Sequence, residues 1–183
     1  MAEYFLISQL PSLDGISENT PLPITEERFL ELCGRFLDEK VLNEIKSLTL
    51  VPSRQTVSSN SPLIEAWNNG ERALRLALGK VRGEKMGKPF DLQNQNLTQE
   101  LLKVANTAVE IGNPLEAENF LLNYRLSFLE MLRPTDSFSE EYLIYYALKL
   151  KLIIRIRQFD KDLGETTYKD IYDSILNKDR LEV

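Results

Sequence analysis

The sequence has no histidine and one cysteine among 183 residues. Imidazole is the commonest general base and metal ligand near neutral pH, so its absence removes the usual serine and cysteine triads and the zinc sites built on it. A lone thiol can close no internal disulfide. The neighbours of Cys33 at helical spacing are Phe29, Leu30, Phe36 and Leu37, which makes it a core thiol; a nucleophile needs a base and an electropositive, partly open setting. No window of ~20 apolar residues is free of charge, because Lys149, Lys151, Arg155 and Arg157 interrupt the best candidate. The first residues show no basic, apolar, small-residue succession of a leader peptide. These absences point to a cytoplasmic protein with no insertion into a membrane.

Positive charge is also scarce. The net charge is -6, and of the four segments 1–60, 61–90, 91–136 and 137–183 the one with a basic excess is 61–90, with 6 basic and 3 acidic residues. A nucleic-acid binder needs phosphate-neutralising charge spread over a face, so nucleic acid is excluded as a partner. Hydrophobic residues make up 43% of the chain, enough for one domain with a sizeable core over residues 1–183.

What the sequence does contain is helical periodicity. Residues 137–163 form the stretch around which the rest is arranged. At ~100° per residue, Phe138, Tyr142, Tyr145, Leu152, Ile153, Ile156, Phe159 and Leu163 fall in one apolar arc, and Leu143, Ala147, Leu150 and Ile154 in a second. Two arcs mean two sets of neighbours, as in the central helix of a bundle. A narrow stripe of Glu140, Lys151, Arg155, Gln158 and Asp162 remains polar, with charges spaced to pair along it. Ser137 and Glu140 make a capping box at one end and Gly164 a left-handed stop at the other. Such a helix would run ~40 Å.

Before it, Tyr4-Phe5-Leu6-Ile7 is a short apolar run of open type, expected to be buried. Residues 11–24 carry turn chemistry in Pro11, Asp14-Gly15, Pro21 and Pro23. Thr25 caps a helix with Phe29, Leu32, Cys33 and Phe36 inward and Ile24 stapled to Phe29, and a shorter helix spans Asp38 to about Leu48. Ser61-Pro62 opens the next, to about Arg82, with Leu63, Trp67, Gly70, Leu74, Leu78 and Val81 on one face. Thr98 or Asn96 starts a helix that Gly112 ends. Asn113, Pro114 and Glu116 then open one to Arg133, expected to pair with 137–163 as an antiparallel hairpin. Thr167 and Asp170 start a last helix through Tyr168, Ile171, Ile175 and Leu176. The expectation is an all-α single-domain bundle of about six to seven helices, with loops at 11–24, 49–61 and 83–97 as its mobile parts.

Candidates for chemistry are few. Gly83, Gly87 and Lys88 have one residue too few between the glycines for a phosphate loop, no hydroxyl residue follows Lys88, and no strand precedes them, so they read as a turn. The acidic pairs Glu26 and Glu27, Glu116 and Glu118, and Glu140 and Glu141 lie in first turns of helices, where they oppose the helix dipole. Lys149 falls in the middle of an apolar arc and calls for a snorkelling stem or a pairing with Glu118, Glu130 or Asp136, against the sharper alternative of a buried, low-pKa lysine with a reactive role. No catalytic, cofactor-binding or metal-binding set emerges. The remaining candidate is a partner-binding patch of Arg72, Arg75 and Arg82 on the outer side of helix 62–82, beside a basic turn with Lys85 and Lys88. Glu71, one turn before Arg75, neutralises part of it.

In order, YFLISQLPSL, ERFLELC, WNNGERALRLALGKVR, NPLEAENFLLNYRLSFLEML and YLIYYALKLKLIIRIRQFD resemble a bacterial family encoded alongside V-type ATPase subunits. That family looks like a reduced relative of the C-type component of the V-type ATPase, called d in eukaryotes. The resemblance runs from about Tyr4 to Asp173. It implies an all-helical scaffold without chemistry of its own, working with the subunits of a rotary ATPase and peripheral to its membrane. The C-type component has three similar helical units, and this chain has length for one. A different class of reading is a free-standing interaction adaptor, because ANTAVEIGNPLEAENFLLNYRLSFLEM has the small-residue helix, turn, helix rhythm of a single tetratricopeptide unit.

Overall fold

The computed structural model describes residues 2–16, 20–52, 61–88 and 97–158, together with Tyr168, Ile171 and Tyr172. Among them are seven helices and no strand: α1 (Ala2–Gln9), α2 (Glu26–Phe36), α3 (Glu39–Ser47), α4 (Pro62–Lys85), α5 (Gln99–Glu110), α6 (Pro114–Met131) and α7 (Glu140–Arg157). The all-α expectation holds. None of these helices is long and apolar enough to cross a membrane.

Local chemistry sets most helix starts. The side chains of Thr25, Ser61, Thr98, Asn113 and Ser139 each accept a hydrogen bond from a backbone N–H in the first turn that follows, satisfying donors that have no partner inside the helix. Asn113 is joined side chain to side chain with Glu116, Nδ2 donating to Oε1 at 3.1 Å. Two expected boundaries move. The α7 cap is Ser139 and not Ser137, because Asp136 Oδ1 accepts the Phe138 N–H at 2.9 Å and keeps residues 137–138 in a turn. Helix α4 runs past Arg82 to Lys85. Gly83 is helical and buried, and the left-handed residue is Gly87 at φ 66°. Lys88 N–H reaches Gly83 O at 2.8 Å and Gly87 N–H reaches Glu84 O at 3.1 Å, the two bonds of a Schellman stop.

Helix α7 is enclosed. Every residue from Leu143 to Leu150 is buried, and at ~1.5 Å per residue that run covers more than two turns on all sides. Phe29 of α2 stacks on Tyr146 at 5.3 Å, α3 and α4 pack against α7, and α6 runs antiparallel to it. The antiparallel sense is fixed by two cross-links, Tyr145 to Glu130 near the turn and Arg155 to Glu118 at the far end. Described residues of the α7 stripe pair with neighbouring helices, and Asp162 of the expected stripe lies outside the described residues. Lys151 bonds Glu26 of α2 and Arg155 bonds Glu118 of α6, because neighbouring helices flank the stripe closely enough to supply partners. The far end of the expected 137–163 helix, including Phe159, Leu163 and Gly164, lies outside the described residues.

The apolar interior forms two clusters that share α4 and α6. The larger joins Leu6, Phe29, Ile45, Trp67, Leu129 and the buried residues of α7. The smaller joins Leu74, Ala77, Leu78 and Val81 of α4 to Leu101, Ala105 and Ala108 of α5 and Leu121 of α6. The run Tyr4 to Ile7 is helical and only partly buried. Leu6 is fully covered, but Tyr4 and Phe5 are 55% and 56% exposed, since one short helix resting on a bundle has one inner face. Of the expected mobile loops, residues 11–16 and 20–24 lie against the bundle, with Leu13 and Ile24 buried; residues 17–19, 53–60 and 89–96 are outside the described set. The expected last helix also lies outside it except for Tyr168, Ile171 and Tyr172, which are helical and exposed.

Candidate functional site: the basic end of α4 and the buried ion clusters

The five basic residues singled out by sequence do not form one patch of equivalent charges. Arg75 and Arg82 are exposed, Arg72 is half-buried, and Lys85 and Lys88 are exposed at the end of the helix. Arg72 bonds Asn69 at 3.1 Å. Arg75 lies 3.8 Å from Glu71. Lys85 donates Nζ to Val109 O at 3.2 Å, placing a cation at the carbonyl end of α5, where the helix dipole favours one. Among the described residues, Arg82 and Lys88 are thus the exposed cations of the five that are engaged in no such bond.

Glu71, read from sequence as a surface neutraliser of Arg75, is 2% exposed. Its main partner is Arg125 of α6, whose Nε donates to Glu71 Oε1 at 2.7 Å. Among the described residues the second carboxylate oxygen has no hydrogen-bond partner, and it faces Arg75 across 3.8 Å. A buried carboxylate is retained when a cation meets it in low dielectric. Burial, followed by the Glu71 and Glu100 charges, pushes the nearby Tyr124 phenol above its ordinary pKa.

Lys149 is 7% exposed and holds the second cluster. Its Nζ donates to Asp14 Oδ1 at 2.5 Å, to Glu130 Oε1 at 2.6 Å and to Tyr145 Oη at 3.2 Å, and Tyr145 Oη donates to Glu130 at 2.7 Å. Of the partners expected from sequence, Glu130 is the one used; Glu118 goes to Arg155. Burial alone would lower the lysine pKa, but the bonds to Asp14, Glu130 and Tyr145 outweigh it and hold the ammonium above the usual range. The Lys149 hydrogen bond draws Asp14 below its ordinary value. Glu130 is raised by burial and lowered further by Lys149 and Tyr145, with a net fall. Burial, helped by Glu130, pushes Tyr145 up to about 12. Arg133 lies over the Tyr145 ring at 5.8 Å.

Cys33 is fully buried, and burial pushes its thiol up to about 12. Among the described residues the surface carries open hollows. One of about 300 Å³ lies between α3 and the start of α7, lined by Lys40, Glu44, Ser61 and Glu140; another of about 480 Å³ lies beside Pro11, Pro23 and Leu32. Among the described residues no group of three or more acidic or thiol side chains is placed to hold a metal ion. Arg125 and Asp14 were missed by sequence reading. Arg125 stands among the leucines of α6, which is the one signal it offered. Comparison of the chain with family models, with curated proteins and with solved structures finds no match.

Proposed function

We propose that this chain is a non-catalytic helical accessory protein that docks on a V-type rotary ATPase through the basic end of α4. The observation that carries the reading is the placement of Arg82 and Lys88, exposed in the basic segment 61–90 of a chain with net charge -6. The sequence resemblance supplies the partner. Charge complementarity with an acidic partner surface raises the association rate and sets orientation more than it adds affinity. The buried ionisable groups support the same reading, since Glu71 and Lys149 are engaged in joining helices.

The test is co-purification of the tagged protein with the cognate ATPase, in wild type and in an Arg82→Glu, Lys88→Glu variant. These positions are chosen because Lys85 also ties α4 to α5 and Arg75 faces the buried Glu71. Loss of binding with the fold intact, and weakening as salt rises from about 50 to 300 mM where screening shortens from ~14 to ~6 Å, are the expected results. Unchanged binding in the variant removes the patch. Failure of the wild type to associate at any salt removes the ATPase.

The adaptor reading rests on a different observation. In the α5–α6 hairpin the small side chains of Ala105 and Ala108 are buried against α4 and α6, as a tetratricopeptide-like pair requires for close approach. A partner retained by the Arg82→Glu, Lys88→Glu variant and unrelated to the ATPase would favour it.

A further inference from the structure

Residues 10–16 form no helix or strand; two bonds tie them to α7, and Leu13, with the partly buried Leu10 and Ile16, packs on the larger apolar cluster. Pro11 O accepts the Tyr146 hydroxyl at 2.9 Å, Leu13 is buried in the larger apolar cluster, and Asp14 bonds Lys149 at 2.5 Å. The local turn is self-contained, with Asp14 N–H on Ser12 Oγ at 3.1 Å and Gly15 at φ 70°. Among the described residues no backbone–backbone hydrogen bond ties residues 11–16 to a helix.

The two ion clusters differ in what happens when one member leaves. Taking Arg125 from Glu71 leaves a carboxylate that is 2% exposed with only Arg75, 3.8 Å away, to face it, a costly state. Taking Asp14 from Lys149 leaves the ammonium on Glu130 at 2.6 Å and Tyr145 at 3.2 Å. Asp14 itself, with its side chain 62% exposed, is already largely hydrated. Neither departing nor remaining charge is stranded.

We propose that residues 10–16 are a releasable strap: an intramolecular ligand of α7 that lifts away while the bundle stays folded, uncovering Tyr146 and Lys149. Glu130 is the element that permits release, by keeping Lys149 neutralised in the open state. Leu13 opposes it together with the partly buried Leu10 and Ile16, because these side chains must enter water.

The experiment is labelling of the full-chain Leu13→Cys variant with a disulfide reagent, alone and with Asp14→Asn, in which the buried Cys33 of the same molecule reports opening of the bundle. The introduced thiol should be labelled well before Cys33. Asp14→Asn should speed its labelling roughly tenfold through loss of a charge-assisted bond and leave the rate at Cys33 unchanged. The strap is overturned if Asp14→Asn leaves the labelling of the introduced thiol unchanged, or if both thiols are labelled together and accelerate by the same factor, since the segment then opens only with the whole bundle.

Discussion

Gly70 lies so close to Phe128 that a Cβ on it would meet two carbons of the ring at 2.4 Å. The contact lets α4 and α6 approach at the point where Trp67 also meets Phe128, centroid to centroid 6.1 Å. Gly70→Ala should therefore destabilise. Overpacking costs ~1–3 kcal/mol and exceeds the ~1 kcal/mol that alanine gains over glycine within a helix. A lower thermal midpoint, partly restored by adding Phe128→Leu, is the expected result; a higher midpoint for Gly70→Ala alone would show that the ring moves aside freely.

The Glu71–Arg125 pair should behave as a unit. Either single replacement, Glu71→Leu or Arg125→Met, leaves a buried charge without its partner and should cost ~3–5 kcal/mol. The double variant Glu71→Leu, Arg125→Met should recover much of the loss, and a double-mutant cycle in denaturant measures the coupling. Additive losses would mean that the two residues act independently.

Acid should weaken the fold through the Lys149 cluster. Asp14 and Glu130 are held below their ordinary values of 3.8 and 4.5, so the stability they contribute is present above those values and is lost as pH falls through the lower folded ones. Lys149 is held above its ordinary 10.5; its contribution is complete below that value and is lost only as pH rises past the folded one. Stability should be flat from about pH 5 to 9 with respect to this cluster. Asp14→Asn with Glu130→Gln should flatten the acid side of a denaturation series, and an unchanged acid slope would remove the cluster as its origin.

Cys33 should be inert in the native state. It is fully buried and its thiol is pushed up to about 12, so the thiolate that reacts is both rare and covered. A disulfide reagent at pH 8 should label it only after denaturant is added, and prompt labelling of native protein would contradict the burial.

What the sequence made readable was local. Thr25, Ser61 and Asn113 announce their helices because a cap and its N–H donors are separated by two or three residues. Ser139 was missed in favour of Ser137 since both are serines in the same turn, and the choice is settled by the Asp136 bond to Phe138. Partners set by the path of the chain were hidden. Asp14 and Lys149 are 135 residues apart, and no periodicity connects a turn aspartate to a helix lysine. Glu71 shows the opposite error. The spacing to Arg75 was correct, but spacing does not reveal which side of α4 a third helix covers, so Arg125 and the burial went unseen.

The enclosure of α7 has a consequence for how the molecule is made. Its contacts reach back to Pro11, Asp14 and Glu26, across separations of 135, 135 and 125 residues, whereas α4, α5 and α6 follow one another and meet within the smaller cluster. Pairings distant in sequence form late, because the intervening chain must first be closed into a loop. During translation α1 to α3 emerge first and wait, with Leu6, Phe29 and Ile45 uncovered, until the helix that seats them leaves the ribosome. Nascent chains arrested before Glu140 should accordingly be cleaved by protease within α1 to α3 while α4 to α6 resist, and the segment from α1 to α3, Ala2 to Ser47, is the part that a chaperone would hold.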